Sequence, residues 1–212
     1  MQKSKIILFI VFIKTVLISI GCIFWHQEYQ YALPTPKPNE LIQLNAGDSI
    51  DKTSLPFEIA GNTFIHFYNY DCPCSRFNIK EFQSLVHRFS DRVKFIAVIS
   101  TPSDDESEIE AFKKKYDLGI TTIIDHDGII AGSLGVYSTP QAVLLTENQL
   151  FYKGNYNKAR FCLTKNTKFA EMAIKALIDN EKLPIFPEVA TLAYGCELPN
   201  QESKQKSLFN LF

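Results

Sequence analysis

Residues 6–25 form a predominantly apolar run of 20 residues in which Lys14 is the only charge. About 20 apolar residues, rising about 1.5 Å each along a helix, cross a hydrocarbon layer about 30 Å thick. The run is therefore predicted to be a transmembrane helix, and the water-soluble core must be built from the residues C-terminal to it. Lys3 and Lys5 precede it and favour a cytoplasmic N-terminus, with the rest of the chain on the other side. A lysine at mid-membrane costs about 2.5–3.5 kcal/mol, which the Ile, Leu, Val and Phe on both sides of Lys14 offset. A cleaved signal peptide fits less well, because the run is long and ends in Phe24-Trp25-His26, an interfacial anchor rather than a small-residue cleavage site. Ile20-Gly21-Cys22 hints at a lipoprotein site, but Ile23, Phe24 and Trp25 continue the apolar run past the cysteine. Residues 1–25 are read as the anchor. Residues 26–40, with Pro34, Pro36 and Pro38, are read as an extended tether. Residues 41–183 are read as one folded domain and 184–212 as a tail containing Gly195-Cys196.

That length suits one domain, since domains commonly take about 100–200 residues. Apolar residues make up 46% and charged residues 21% of the 212 residues, which is the range of folded soluble chains. Lys and Arg total 22 against 23 Asp and Glu, a net charge of -1. Without a basic footprint, nucleic acid is excluded as a partner.

Within the domain, Thr63-Phe64-Ile65-His66-Phe67-Tyr68 reads as a buried strand. From Ser75 onward Phe77, Ile79, Phe82, Leu85, Val86 and Phe89 recur at helical intervals, leaving Arg76, Lys80, Glu81 and Arg88 in water. A strand over 93–99 comes next. Ser103 and Glu106 make a capping box before a helical stripe of Ile109, Phe112 and Tyr116. Further strands are predicted over 121–124, 141–145 and 150–153, with a short helical piece over 129–135, a hairpin turn near Glu147-Asn148-Gln149 and a last helix over 167–181. Two strand–helix–strand units followed by a hairpin and a closing helix predict an α/β sandwich, a mixed sheet covered on both faces. Residues beyond Ala190 show no clear element.

The chemistry is concentrated at Tyr70-Asp71-Cys72-Pro73-Cys74-Ser75, where the first strand turns into the first helix of the domain. Backbone N–H groups and the helix dipole favour an anion there, so a cysteine at that point gains thiolate character. Cys72 is the candidate nucleophile, and Pro73 suits the first helical position. Residues two apart on a regular helix point about 200° from each other. With Cys72 in an extended capping position, however, its Cα can come within the roughly 4.4–6.8 Å of Cys74 that a disulfide tolerates. Cys74 as a small buried core residue is the plainer alternative. A zinc finger lacks its second ligand pair.

The chain resembles the thioredoxin-like superfamily, most closely its membrane-anchored, redoxin-type thiol–disulfide proteins. The resemblance spans about residues 41–182 and rests on four features. These are Cys72 after a hydrophobic strand, Asp125-His126-Asp127-Gly128 followed by Gly135-Val136, Ser138-Thr139-Pro140-Gln141-Ala142-Val143-Leu144-Leu145, and Tyr152-Lys153-Gly154. It implies a thioredoxin-like three-layer α/β/α sandwich behind a transmembrane helix, a cis Pro140 lying against the reactive cysteine, and Thr139 offering its backbone to an extended substrate strand. It also implies a thiol–disulfide oxidoreductase without a cofactor or metal, acting on protein thiols or disulfides with a membrane or periplasmic redox partner. The expected location is the inner membrane, crossed once, with the N-terminus cytoplasmic and the domain periplasmic. The chain departs from the family at the site itself, where Cys-x-Cys stands in place of Cys-x-x-Cys. The segment Tyr194-Gly195-Cys196-Glu197-Leu198-Pro199 looks like the Gly-Cys ending of some redoxin-type relatives. Cys72–Cys74 is the first candidate pair and Cys72–Cys196 the second, while Cys162 reads as a buried small hydrophobe.

Copper carriage is the alternative, with Cys72, Cys74 and one histidine as Cu(I) ligands, although His66, alternating within a strand beside Phe67, reads as a core or edge histidine and His126 as exposed in a turn. A peroxidase of the peroxiredoxin type is disfavoured, because Asn69 stands where the threonine three residues before the reactive cysteine is required, and Ile65 where a proline is expected.

Overall fold

The computed structural model describes residues 2–28, 33–101, 107–158 and 167–198. Two compact units make up the chain, Met1–Leu33 and Pro34–Phe212. The first contains one helix, α1 (Gln2–Glu28), whose apolar stretch is long enough to cross a membrane.

The second unit is built on a five-stranded mixed sheet. Its elements are β1 (Asn62–Tyr68), α2 (Pro73–Phe89), β2 (Lys94–Ser100), α3 (Ser107–Tyr116), β3 (Thr121–Asp125), α4 (Ile129–Ser133), β4 (Ser138–Thr139), β5 (Gln141–Thr146), β6 (Gln149–Gly154), α5 (Phe169–Ile178) and β7 (Cys196–Glu197). The sheet order is β3-β2-β1-β5-β6. β1, β2 and β3 are parallel, as helical crossovers require, and β5 runs antiparallel to both β1 and β6. This is the thioredoxin-like fold.

Alternation along β1 divides the core between the two faces. Phe64 and Tyr68 pack with Ile79, Phe82 and Leu85 of α2, Phe112 of α3 and Phe169, Ala173 and Ile174 of α5. Ile65 and Phe67 face the other way, onto Ile130 and Leu134 around α4 and onto Ile50, Leu55 and Ile59 of the segment that precedes β1. One face is thus covered by three helices, the other by a short helix and irregular chain.

Two expectations for α2 are corrected. Phe77 points to solvent at 48% exposure. Glu81, expected in water, is buried because Lys168 reaches it at 3.0 Å, and a paired carboxylate can be desolvated where a lone one cannot. The predicted capping box, Ser103 and Glu106, lies outside the described residues, as does Cys162. The tail read over 184–212 holds a 3₁₀ turn (Glu188–Ala190) and, beyond Ala190, where the sequence shows no clear element, β7. It is bound to the domain because Asn155 donates through its side chain to the carbonyls of Val189 at 2.8 Å and Leu192 at 2.6 Å, and because Ala190 and Ala193 are fully buried. The N-terminal end of this unit also lies ahead of Leu41. Pro34 bridges Tyr194, and the Thr35 N–H donates to Ala193 at 2.9 Å.

Candidate functional site

Where β1 ends, Asn69 closes a tight turn by accepting the Asp71 N–H at 2.8 Å on its side chain and the Cys72 N–H at 3.2 Å on its carbonyl. Cys72 then caps α2. Its backbone is extended (φ -85°, ψ 113°), Pro73 is next in the chain, and its carbonyl accepts the Arg76 N–H at 3.3 Å. The first turn of α2 carries no acidic residue, so the dipole acts on the Cys72 sulfur without a competing charge from the helix itself. Asp71 is exposed, whereas Cys72 is buried at 1% exposure.

Cys72 is disulfide-bonded to Cys196 of β7, with 5.7 Å between their Cα atoms. Of the two candidate pairs this is the second. Cys74 takes no part in the bond, yet its sulfur belongs to the same cluster, since the Sγ atoms of Cys72, Cys74 and Cys196 all lie within 4.8 Å of one another. Cys74 sits one residue beyond Pro73, on the buried side of the helix start. Among the described residues, the histidine expected as a third copper ligand is replaced by a third cysteine. His66 is a core residue, as its place in the strand predicts, with its ring stacked on Phe82 at 4.2 Å.

The peptide bond between Thr139 and Pro140 is cis. The Thr139 carbonyl oxygen is 3.4 Å from Cys72 Sγ, where it can accept a hydrogen bond from the reduced thiol. Thr139 also pairs with Cys196, and Ser138 with Glu197, in a two-stranded antiparallel ribbon. Thr139 Oγ1 and Gln141 Oε1, on either side of Pro140, are buried without a hydrogen-bond partner among the described residues. On the approach to Cys72, Tyr70 donates its hydroxyl to the Glu108 carbonyl at 3.1 Å, and burial pushes its pKa up to about 12. This phenol therefore stays protonated, and the charge that matters at the site is the one the cysteines carry.

A buried cysteine at a helix start, joined to a second cysteine on a strand beside a cis-proline and with a third sulfur alongside, defines a thioredoxin-like domain with a three-cysteine centre. The chain belongs to the family described as "Domain of unknown function (DUF6436)", whose model matches residues 44–197 and so includes all three cysteines. No curated protein matches the chain. Among solved structures, it is similar to a hypothetical protein from Sinorhizobium meliloti 1021, at 15% identity over 76% of this chain and 97% of that one, with a TM-score of 0.62. It is also similar to an uncharacterized conserved protein from Geobacillus kaustophilus, at 17% identity over 79% of this chain and 97% of that one, again with a TM-score of 0.62. At these identities the likeness establishes the fold.

The sequence contained the cysteines and the Thr139-Pro140 pair. It gave no local sign of Thr35, whose hydroxyl lies 2.9 Å from Ser138 Oγ and donates to the Gly195 carbonyl at 3.3 Å. Thr35 lies between two prolines in a stretch read as tether, and only the return of the C-terminal segment gives it a partner.

Proposed function

We propose that the chain exchanges thiols and disulfides on protein substrates outside the cytoplasm, held at the inner membrane by α1. The observation that carries this reading is the bond from Cys72, at the start of α2, to Cys196, with the Cys74 sulfur in the same cluster. In the oxidising direction a substrate thiolate attacks Cys72 Sγ, the Cys72–Cys196 bond breaks, and Cys196 leaves as a thiolate. The substrate's second thiolate then attacks its own sulfur in the mixed disulfide and expels Cys72 as a thiolate, which the helix start stabilises. Two electrons pass from substrate to protein, and the two protons go to solvent. The reverse sequence reduces a substrate disulfide. Cys74 is placed to attack Cys72 Sγ and expel either Cys196 or a bound substrate, forming Cys72–Cys74 without net oxidation. Thr139 and Pro140 supply the backbone against which the substrate strand lies.

The test is exchange with a dithiol peptide by the full chain in detergent. Cys72→Ser abolishes exchange, Cys74→Ser retains it through the Cys72–Cys196 bond, and reduced Cys196→Ser offered a disulfide peptide accumulates mixed disulfide at Cys72. Full activity in Cys72→Ser overturns the proposal.

A second reading, carriage of Cu(I) as cargo, is favoured by one observation: three soft ligands within 4.8 Å of one another. It is supported if the reduced chain holds Cu(I) against a competing chelator and turns over no disulfide.

A further inference from the structure

We infer that residues 194–198 act as a tethered substrate. They occupy the β4 edge as an incoming protein strand would, and they define the class of segment accepted there: extended chain with glycine immediately before its reactive cysteine. This inference rests on the exchange reading of Cys72.

Three observations converge on it. The first is register. Cys196 stands opposite Thr139, Glu197 opposite Ser138, and the Leu198 N–H donates to the Tyr137 carbonyl at 3.0 Å, so the segment lies antiparallel along 137–139. With its cysteine bonded to Cys72, this is the covalent and main-chain arrangement of a mixed disulfide with an extended peptide. β7 pairs with β4 along this edge, so tail and substrate cannot hold it together.

The second is the glycine. Gly195 has φ +139°, a conformation L side chains rarely adopt, and a Cβ built there would run into the carbonyl of Thr139, with Ser138 Oγ only 3.3 Å away. The obstacle is backbone of the site itself, so any segment bound in this register meets it. Leu198, two residues beyond the cysteine, is 3% exposed and joins the core cluster on the α4 face, which favours an apolar residue there.

The third is the clamp. Thr35 donates its N–H to Ala193 at 2.9 Å and its hydroxyl to the Gly195 carbonyl, and touches Ser138 Oγ, so it ties the tail to the strand beneath it. A protein substrate gains the edge by opening Cys72–Cys196 and displacing a segment held by these bonds.

The test uses a peptide of residues 191–198 whose cysteine carries an aromatic thiol in disulfide linkage, and a second peptide with valine in place of the glycine. Attack by the Cys72 thiolate releases the coloured aromatic thiolate and leaves the peptide joined to Cys72. Both peptides are offered to the reduced full chain in detergent, as Cys196→Ser and as Gly195→Val with Cys196→Ser, and Cys72→Ser is the blank. The glycine peptide is expected to react at least about tenfold faster than the valine peptide with both chains, a difference of about 1.4 kcal/mol. It should also react faster with the double variant, whose tail cannot seat. Equal rates for the two peptides, on a chain whose Cys72 reacts readily with a small aromatic disulfide, overturn the inference and leave the exchange reading intact. No reaction of Cys72 with either peptide or the small disulfide removes the exchange reading and this inference with it. The selectivity is already readable in Cys196→Ser alone, so a folding defect in the double variant does not obscure it.

Discussion

His66 Nδ1 and the Tyr156 hydroxyl oxygen lie 2.6 Å apart in the interior of the domain, with the imidazole fully buried against Phe82 and its Nε2 without a partner among the described residues. Burial holds the pKa of His66 down to about 3, so the folded chain keeps the ring neutral. Below the ordinary value of 6.5 the unfolded chain takes up a proton that the folded chain refuses. Stability therefore falls with pH from about 6.5 toward 3, by up to about 1.4 kcal/mol per unit. The urea midpoint should drop between pH 7 and pH 5. His66→Phe should flatten that slope, whatever its effect on absolute stability, and an unchanged slope contradicts the assignment.

Arg88 of α2 grips Glu171 of α5 through two hydrogen bonds of 2.7 and 2.9 Å, and Lys175 adds a contact at 2.8 Å. The Arg88 hydrogen bonds above all, and then Lys175, hold the Glu171 carboxyl down to about 2. Its contribution is present above the unfolded pKa of about 4.5 and is lost as pH falls toward 2. Because the Arg88 side chain is 40% exposed, solvent screens part of it, and Glu171→Gln should cost about 1–2 kcal/mol at pH 7. The gap between variant and parent should narrow by pH 3 in denaturant titrations.

Asp125 accepts the N–H groups of Ile130 at 3.1 Å and Ala131 at 2.9 Å, and so anchors the start of α4. Asp125→Ala leaves both donors buried without partners and should cost about 1–2 kcal/mol, read as a lowered urea midpoint.

Much of this fold was legible because its signals are local. The apolar run of β1 and the helical recurrence of Ile79, Phe82, Leu85 and Val86 lie within single elements, and the structure buries them as expected. The two-residue strands β4 and β7 are too short to show any periodicity. The sequence favours Cys74 as the partner of Cys72 because the spacing of a neighbour can be weighed, whereas Cys196, the partner found, is 124 residues away and its approach depends on a C-terminal segment held by Asn155 and Thr35. Glu81 and Phe77 show a different gap. Charge and hydropathy assign a side chain its preferred medium, but the presence of Lys168 beside one and of solvent beside the other is a property of the assembled helices.

Asn155 holds the carbonyls of Val189 and Leu192, and its N–H donates to Ala190 at 2.7 Å. Asn155→Ala strands two carbonyls and should cost about 1–3 kcal/mol, concentrated in the C-terminal segment. Hydrogen exchange should quicken over residues 188–198 more than over β1 or β2. Uniform quickening would mean that the segment does not open separately from the core.

The most direct test of thiol–disulfide exchange through Cys72 is disulfide mapping by mass spectrometry. The full chain is equilibrated across a series of glutathione redox ratios, and its thiols are trapped at each one. The account predicts a reversible bridge between Cys72 and Cys196, giving way under reducing ratios to free thiols and passing through species in which Cys72 is linked to Cys74 or to glutathione. Absence of any reversible bridge at Cys72 across the whole series would contradict it.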